Sequence, residues 1–130
     1  FTRLNQKFFN SFNILIIYFY MDSNVENFAN LDIRVGQILS AEVFEEAKKP
    51  AYILKIDFGN DIGIKKTSAQ ITNYQLDELV GVRCIGVINL GDKQIGPIIS
   101  QCLILGSIND KGDVLLLQPS PEADLGDKVS

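Results

Sequence analysis

From Tyr52 to Phe58 the side chains alternate, with Tyr52, Leu54, Ile56 and Phe58 on one parity and Ile53, Lys55 and Asp57 on the other. A period of two predicts a strand with one buried face. Gly59, Asn60 and Asp61 supply turn residues, and residues 62–67 predict a second strand. Residues 56–72 therefore read as a hairpin with a basic, hydroxyl-rich end made by Lys65, Lys66, Thr67, Ser68 and Gln70. Upstream, residues 31–44 are long for one strand, and apolar residues occupy both parities once Gly36 is passed. A glycine inside such a strand predicts a bulge or sharp coil at that point, so that one strand serves two halves of a closed sheet. Pro50 holds Lys49 extended and ends a charged loop, residues 45–50.

The remaining pattern extends this picture in both directions. Ser23 and Glu26 have capping-box spacing and predict a short helix through Phe28. Ala69, Ile71, Thr72, Leu76, Leu79 and Val80 are spaced for two short helical turns that plug the sheet and stop at Gly81, with Ser68 as the expected cap. Residues 82–90, 98–105 and 114–118 predict a fourth, fifth and sixth strand, with a loop at 91–97 and a turn at 110–113. In the polar tail after Pro119, Leu125 and Val129 are the residues expected to fasten it down. Short strands at near-even spacing, the first long and glycine-bent, with a helical plug after the third, predict an all-β OB-fold barrel of five strands with short helices. Such a barrel binds ligands on its second and third strands and through the loops after the first and fourth, here residues 52–68, 45–50 and 89–97.

Composition narrows the chemistry. A chain of 130 residues is one domain's worth, and a core of that size buries about two-thirds of the unfolded surface without staples. Net charge is −4, and because Arg3 and Lys7 are the charges of the first twenty residues, the rest carries ten bases against sixteen acids. That balance is poor for a non-specific nucleic-acid binder, although a local basic patch can still steer a ligand. The absence of His removes the usual general base and the usual metal ligand together. Cys84 and Cys102 are too few for a four-ligand zinc site and lie in apolar runs, so they read as free buried thiols of a reducing cytosol. No catalytic residue, metal or cofactor is expected, and Asp57 and Asp61 read as solvated turn acids.

Residues 1–20 stand apart. They are built almost entirely from Phe, Ile, Asn, Tyr and Leu, and the single Met of the chain, Met21, follows them. The favoured account is a non-native, read-through extension ahead of one domain at residues 21–130. A signal sequence is the competing account, but its apolar run, residues 12–20, is short and no small-residue cleavage site follows. The run is also too short to span a bilayer, which takes about 20 residues.

Several co-linear blocks resemble one family. Residues 32–38, DIRVGQI, are similar to the opening strand of the tRNA-binding domains appended to methionyl- and phenylalanyl-tRNA synthetases. Within that family EAKKPAY at 46–52, IDFGNDIGIKKTSAQIT at 56–72 and LLLQP at 115–119 resemble the CsaA branch. The resemblance runs from about Phe28 to the C-terminus. It implies an OB-fold homodimer joined through elements outside the barrel at the chain ends, without enzymatic activity. It further implies a cytoplasmic, export-related chaperone that engages unfolded preproteins and the Sec motor; the alternative is a stand-alone protein that binds tRNA by shape. The tRNA-binding relatives carry two bases in the loop after the fourth strand, where this chain has Asn89, Leu90, Gly91, Asp92, Lys93, Gln94 and, further on, Pro97 and Ser100. One base, Lys93, remains there, which weakens a phosphate clamp.

The candidate ligand face, for tRNA or peptide, therefore comprises Lys48, Lys49, Tyr52, Lys65, Lys66, Thr67, Ser68, Gln70, Asn89, Lys93, Gln94 and Ser100. Each has a plainer reading beside the functional one. The lysines can simply solvate a strand edge, Tyr52 and Phe58 share the inward parity and suit the core, and Thr67 and Ser68 can cap a turn.

Overall fold

An 11-residue strand, β1 (Ile33–Val43), carries the sheet: its first half is largely buried and its second half largely exposed. In this computed structural model, which describes residues 22–130, one edge of β1 pairs antiparallel with β2 (Tyr52–Asp57) and, further back, with β10 (Lys128–Val129). The other edge pairs with β4 (Arg83–Val87). Adding β3 (Ile64–Ala69) and β7 (Leu103–Ile104) gives the strand order β3-β2-β1-β4-β7. The Gln101 N–H donates to the Lys66 carbonyl at 2.8 Å, bringing the two ends of that order together. The result is a nearly closed, five-strand antiparallel barrel of the OB type.

The alternation along β2 is realised: Leu54, Ile56 and Phe58 are fully buried, and Tyr52 packs against the same core. Gly36 does not mark the bulge. The β1–β2 register slips after Ile38, which pairs with Ile56, and resumes at Ser40 opposite Lys55, so Leu39 is the extra residue. Gly36 is needed for a different reason. A Cβ there would lie 2.7 Å from Ile56 Cγ2 and 2.8 Å from Phe58 Cε1, and one on Gly86 of β4 would lie 2.9 Å from Phe58 Cζ. The Phe58 ring thus rests directly on the backbones of two strands.

Other boundaries moved for local reasons. The β2–β3 turn extends to Gly63, which has φ 88° and donates to the Gly59 carbonyl at 2.7 Å, so β3 starts two residues later than the pattern suggests. Asp57 serves this turn by accepting from the Gly59 N–H at 2.9 Å. The plug is one short helix, α2 (Leu76–Leu79), after a turn at Ile71–Tyr74; Leu79 and Ile71 are buried, and no side chain caps the helix. Thr67 and Ser68 are strand residues, too far upstream to cap it. The expected loop at 91–97 contains a hairpin, β5 (Lys93–Ile95) with β6 (Ile98–Ser100), closed by Gly96 and Pro97. The expected fifth strand is consequently split, β6 pairing with β5 while β7 pairs with β4.

The sixth strand is observed as β9 (Val114–Leu116), whose partner β8 (Gly106–Ile108) the pattern does not show. Asn109 Oδ1 organises the connecting turn, accepting from the Lys111 and Asp113 N–H groups at 3.0 Å each. The tail is fastened by main-chain bonds, Val35 N–H to the Asp127 carbonyl at 3.0 Å and Gly126 N–H to the Val35 carbonyl at 2.8 Å, and by Arg83 on the Ala123 carbonyl. The short helix expected from Ser23 is a π-turn, Asp22–Glu26, continued by α1 (Asn27–Asn30). These residues belong to an N-terminal unit ending at Leu31, whereas the barrel is the unit Asp32–Val129. The readings made for residues 1–20 lie outside the described residues.

Cys84 and Cys102 are buried and unpaired. Burial, with Cys102 alongside, pushes the Cys84 thiol up to about 12 from 9.0. Burial also pushes Cys102 up to about 11, with Lys65 and a Thr67 hydrogen bond partly offsetting it. Both folded values lie above the unfolded one, so the protonated thiols contribute stability that is complete below about pH 9 and is lost as pH rises from there towards 11 and 12. The urea midpoint is expected to fall between about pH 8 and about pH 10.5, with a flatter profile in a C84A/C102A variant. Gly36→Ala is expected to destabilise by about 2 kcal/mol through overpacking against Phe58, measured as a lower urea midpoint at unchanged m-value.

Candidate ligand-binding face

The barrel closes between β3 and the segment that runs from β6 into β7, and polar side chains do most of the joining. Beyond the Gln101 N–H bond to the Lys66 carbonyl, the Lys66 N–H donates to Gln101 Oε1 at 2.9 Å. The Thr67 hydroxyl, 1% exposed, donates to the Cys102 carbonyl at 2.7 Å and lies 2.9 Å from Ser100 Oγ. These contacts satisfy Thr67 in a dry setting where an unpaired hydroxyl would be costly.

Two clefts flank the β5–β6 hairpin and meet at Ser68 and Ile95. The first, ≈ 290 Å³, has Thr67, Ser68 and Ser100 at its polar side and Leu90, Ile95, Cys102 and Leu103 as apolar wall, with Asp92 and Lys93 also lining it. The second, ≈ 430 Å³, lies between the hairpin and the β1–β2 loop, with Phe44, Ala47, Ala51 and Ile95 as apolar wall and Glu46, Lys48 and Lys49 as charges. A third, more polar cleft of ≈ 450 Å³ continues from Lys49 and Gln70 past Asn73 to Asp113. Acids and bases share each of these clefts. Among the described residues no three His, Cys, Asp or Glu are grouped to hold a metal.

Of the candidate face, Lys48, Lys49, Thr67, Ser68, Gln70, Lys93 and Ser100 line these clefts. The others are placed differently. The Tyr52 hydroxyl donates to the Tyr74 carbonyl at 2.8 Å and its ring packs on the core. Asn89 Oδ1 accepts from the Asp32 N–H at 2.8 Å, and Gln94 Nε2 donates to the Gly96 carbonyl at 2.6 Å, bracing the hairpin turn. Lys65 and Lys66 are neighbours in sequence but sit on opposite faces of β3: Lys65 lies opposite inward-facing Ile56, and Lys66 opposite Lys55.

Lys55 is the cation that sequence reading passed over. It stands directly across from Lys66, an arrangement that costs stability between like charges, and Ser40 of β1 is its partner on the other side. The outward parity of Lys55 was visible in the alternation; its pairing with Lys66 required the register. The apolar walls were also missed. Leu90 and Leu103, 56% and 50% exposed, sit in predicted strands and signal nothing until the strands end early.

Thr67→Val keeps the shape and removes the hydroxyl, leaving the Ser100 hydroxyl and the buried Cys102 carbonyl with only their own long bond of 3.4 Å. A loss of about 1–2 kcal/mol is expected, together with faster hydrogen exchange at the Gln101 amide, and Thr67→Ser should retain most of both.

Comparison with known proteins follows the same geometry. A family model described as "Putative tRNA binding domain" matches residues 33–128. The methionine–tRNA ligase of Pyrococcus horikoshii is 37% identical over 109 residues, 80% of this chain, and that of Flavobacterium johnsoniae is 32% identical over 105 residues, 81% of this chain. The chain spans 14% of the length of either ligase. Among solved structures, the CsaA chaperone protein of Picrophilus torridus is 48% identical with a TM-score of 0.78, covering 82% of this chain and 98% of that one. The CsaA chaperone of Bacillus anthracis is 44% identical with a TM-score of 0.77, covering 82% and 97%. Sequence blocks, barrel topology and these matches agree: the chain belongs to the tRNA-binding-domain family and is similar to its CsaA-named members.

Proposed function

We propose that the protein is a non-catalytic chaperone that holds unfolded polypeptide, including preproteins on their way to export. The observation that carries this reading is the pair of clefts meeting at Ser68 and Ile95, each walled by apolar side chains and carrying acids as well as bases. Apolar side chains of an unfolded segment gain by leaving water for such walls, at about 25 cal/mol per Å². The similarity to the CsaA chaperone structures of Picrophilus torridus and Bacillus anthracis supports the same reading. It works as a homodimer in the cytoplasm, presenting clients to the Sec motor. Support for the dimer comes from the β8–β9 region, outside the five-strand barrel, where Ile108 is 74% exposed and Leu115 and Leu117 are nearly half exposed.

A second reading, tRNA binding by shape, is favoured by one feature: Lys55 and Lys66 stand side by side on the outward face of β2 and β3, with Lys48 and Lys49 on the adjoining loop. Phosphates would relieve that like-charge pair.

One experiment separates the two. At stoichiometric excess the protein is expected to suppress aggregation of a chemically denatured client, with suppression largely lost in Leu90→Asp/Leu103→Asp and kept in Lys55→Glu/Lys66→Glu. Absence of suppression by the wild-type chain would sink the chaperone reading. Bulk tRNA is expected to bind weakly; submicromolar affinity with a steep salt slope, abolished in Lys55→Glu/Lys66→Glu, would install the tRNA reading instead.

A further inference from the structure

The seam that closes the barrel runs through Lys66 and Thr67 and stops there. In an antiparallel pair, main-chain groups face the partner at every second residue. The Phe58 N–H donates to the Gly63 carbonyl at 3.0 Å, and in the observed register the same phase makes Ile56–Lys65, Leu54–Thr67 and Tyr52–Ala69 the hydrogen-bonded pairs. Lys66, Ser68 and Gln70 consequently turn their N–H and C=O groups away from β2. Gln101 takes both groups of Lys66, one through its main chain and one through its side chain. Among the described residues no backbone hydrogen bond joins Ser68 to the β5–β6 hairpin, and the Ser68 carbonyl receives only a long bond, 3.4 Å, from the neighbouring Thr67 hydroxyl.

Ser68 is also the residue at which the two apolar clefts meet. An outward-facing donor and acceptor on a strand edge, with a side-chain cleft on either hand, is complementary to one kind of ligand. An extended polypeptide offers a C=O and an N–H at strand spacing and side chains that alternate between two faces. Charge points the same way. Asp92 stands beside Lys93 in the first cleft, and Glu46 offsets one of the two lysines in the second, so the split is near neutral and suits an apolar segment better than a phosphate backbone.

We propose that an extended, apolar-rich polypeptide adds to the open edge of β3 as a short extra strand. It pairs its main chain with the N–H and C=O of Ser68 and seats side chains in the two flanking clefts. This rests on the polypeptide-holding reading above and specifies how the client is recognised. Main-chain pairing tolerates almost any sequence but rejects proline at the paired residue, which has no N–H to give.

The test uses the full chain and a fluorescein-labelled nonapeptide rich in leucine and valine and free of proline, followed by fluorescence anisotropy. Ser68→Pro, which removes the edge donor at a position where proline does not break the β2 ladder, is expected to weaken binding about tenfold, and Ser68→Ala by less than about twofold. Equal binding by wild type, Ser68→Pro and Ser68→Ala overturns edge pairing while leaving polypeptide holding intact; no binding by wild type overturns both. If Ser68→Pro does not fold, amide-to-ester replacement along the peptide decides instead. Weakening at alternate positions of the peptide is the expected result, and uniform or absent weakening overturns the proposal. A Ser68→Pro effect on bulk tRNA binding with none on the peptide overturns it as well.

Discussion

The structure depends on how the barrel is closed. In a fully laddered barrel the closing strands would be joined by a run of main-chain bonds, whereas here, among the described residues, one such bond, from Gln101 to Lys66, is supplemented by side chains. Thr67 carries the largest share: its hydroxyl reaches Ser100 and the Cys102 carbonyl across the seam and is almost completely buried. A buried hydroxyl is worth about 1 kcal/mol when satisfied and costs more when it is not, so the seam is fixed at one point rather than along its length. Everything on the far side of that point is free to diverge. The clefts exist because closure stops at Thr67.

A second constraint shapes the opposite wall. Phe58 rests on backbone where Gly36 and Gly86 present no side chain, and these two glycines lie on adjacent strands, β1 and β4. Its burial fixes the end of β2 against the first half of β1, while the bulge at Leu39 lets the second half of β1 continue alongside β2. Close contact and curvature are therefore provided by different residues three positions apart. Reading Gly36 as the bend merged two functions, because a glycine in a strand has the same signature whether it admits a ring or a kink.

The barrel was legible because its core strands have strong period-two patterns, Tyr52 to Phe58 above all, and because the turns at Gly59 and Gly91 carry left-handed glycines. The β5–β6 hairpin and the pairing of β8 with β9 were not legible, since strands of three residues leave almost no period to detect. Part of the candidate site was visible as a set of loops and lysines. Its geometry was not: alternation places Lys65 and Lys66 on opposite faces, and the like-charged partner of Lys66, Lys55, is defined by register alone. Exposed leucines such as Leu90 and Leu103 carry no positional signal in a sequence, because single exposed apolar residues are ordinary.

The energetics of such a site suit a holding function. Two apolar side chains seated in clefts of this size contribute about 1.5–3 kcal/mol each, and a pair of edge hydrogen bonds adds about 1 kcal/mol apiece. Ordering the three or so residues that make these contacts costs about 1–2 kcal/mol per residue. The net is small, so a site that held polypeptide in this way would bind transiently and release its segment without a driven step. Retention then has to come from more than one site acting on the same unfolded chain, and an unfolded chain supplies apolar segments repeatedly along its length. Two linked sites turn the second capture into an intramolecular event at millimolar effective concentration. A dimer that presents two such edges gains that advantage without any tighter contact at either one.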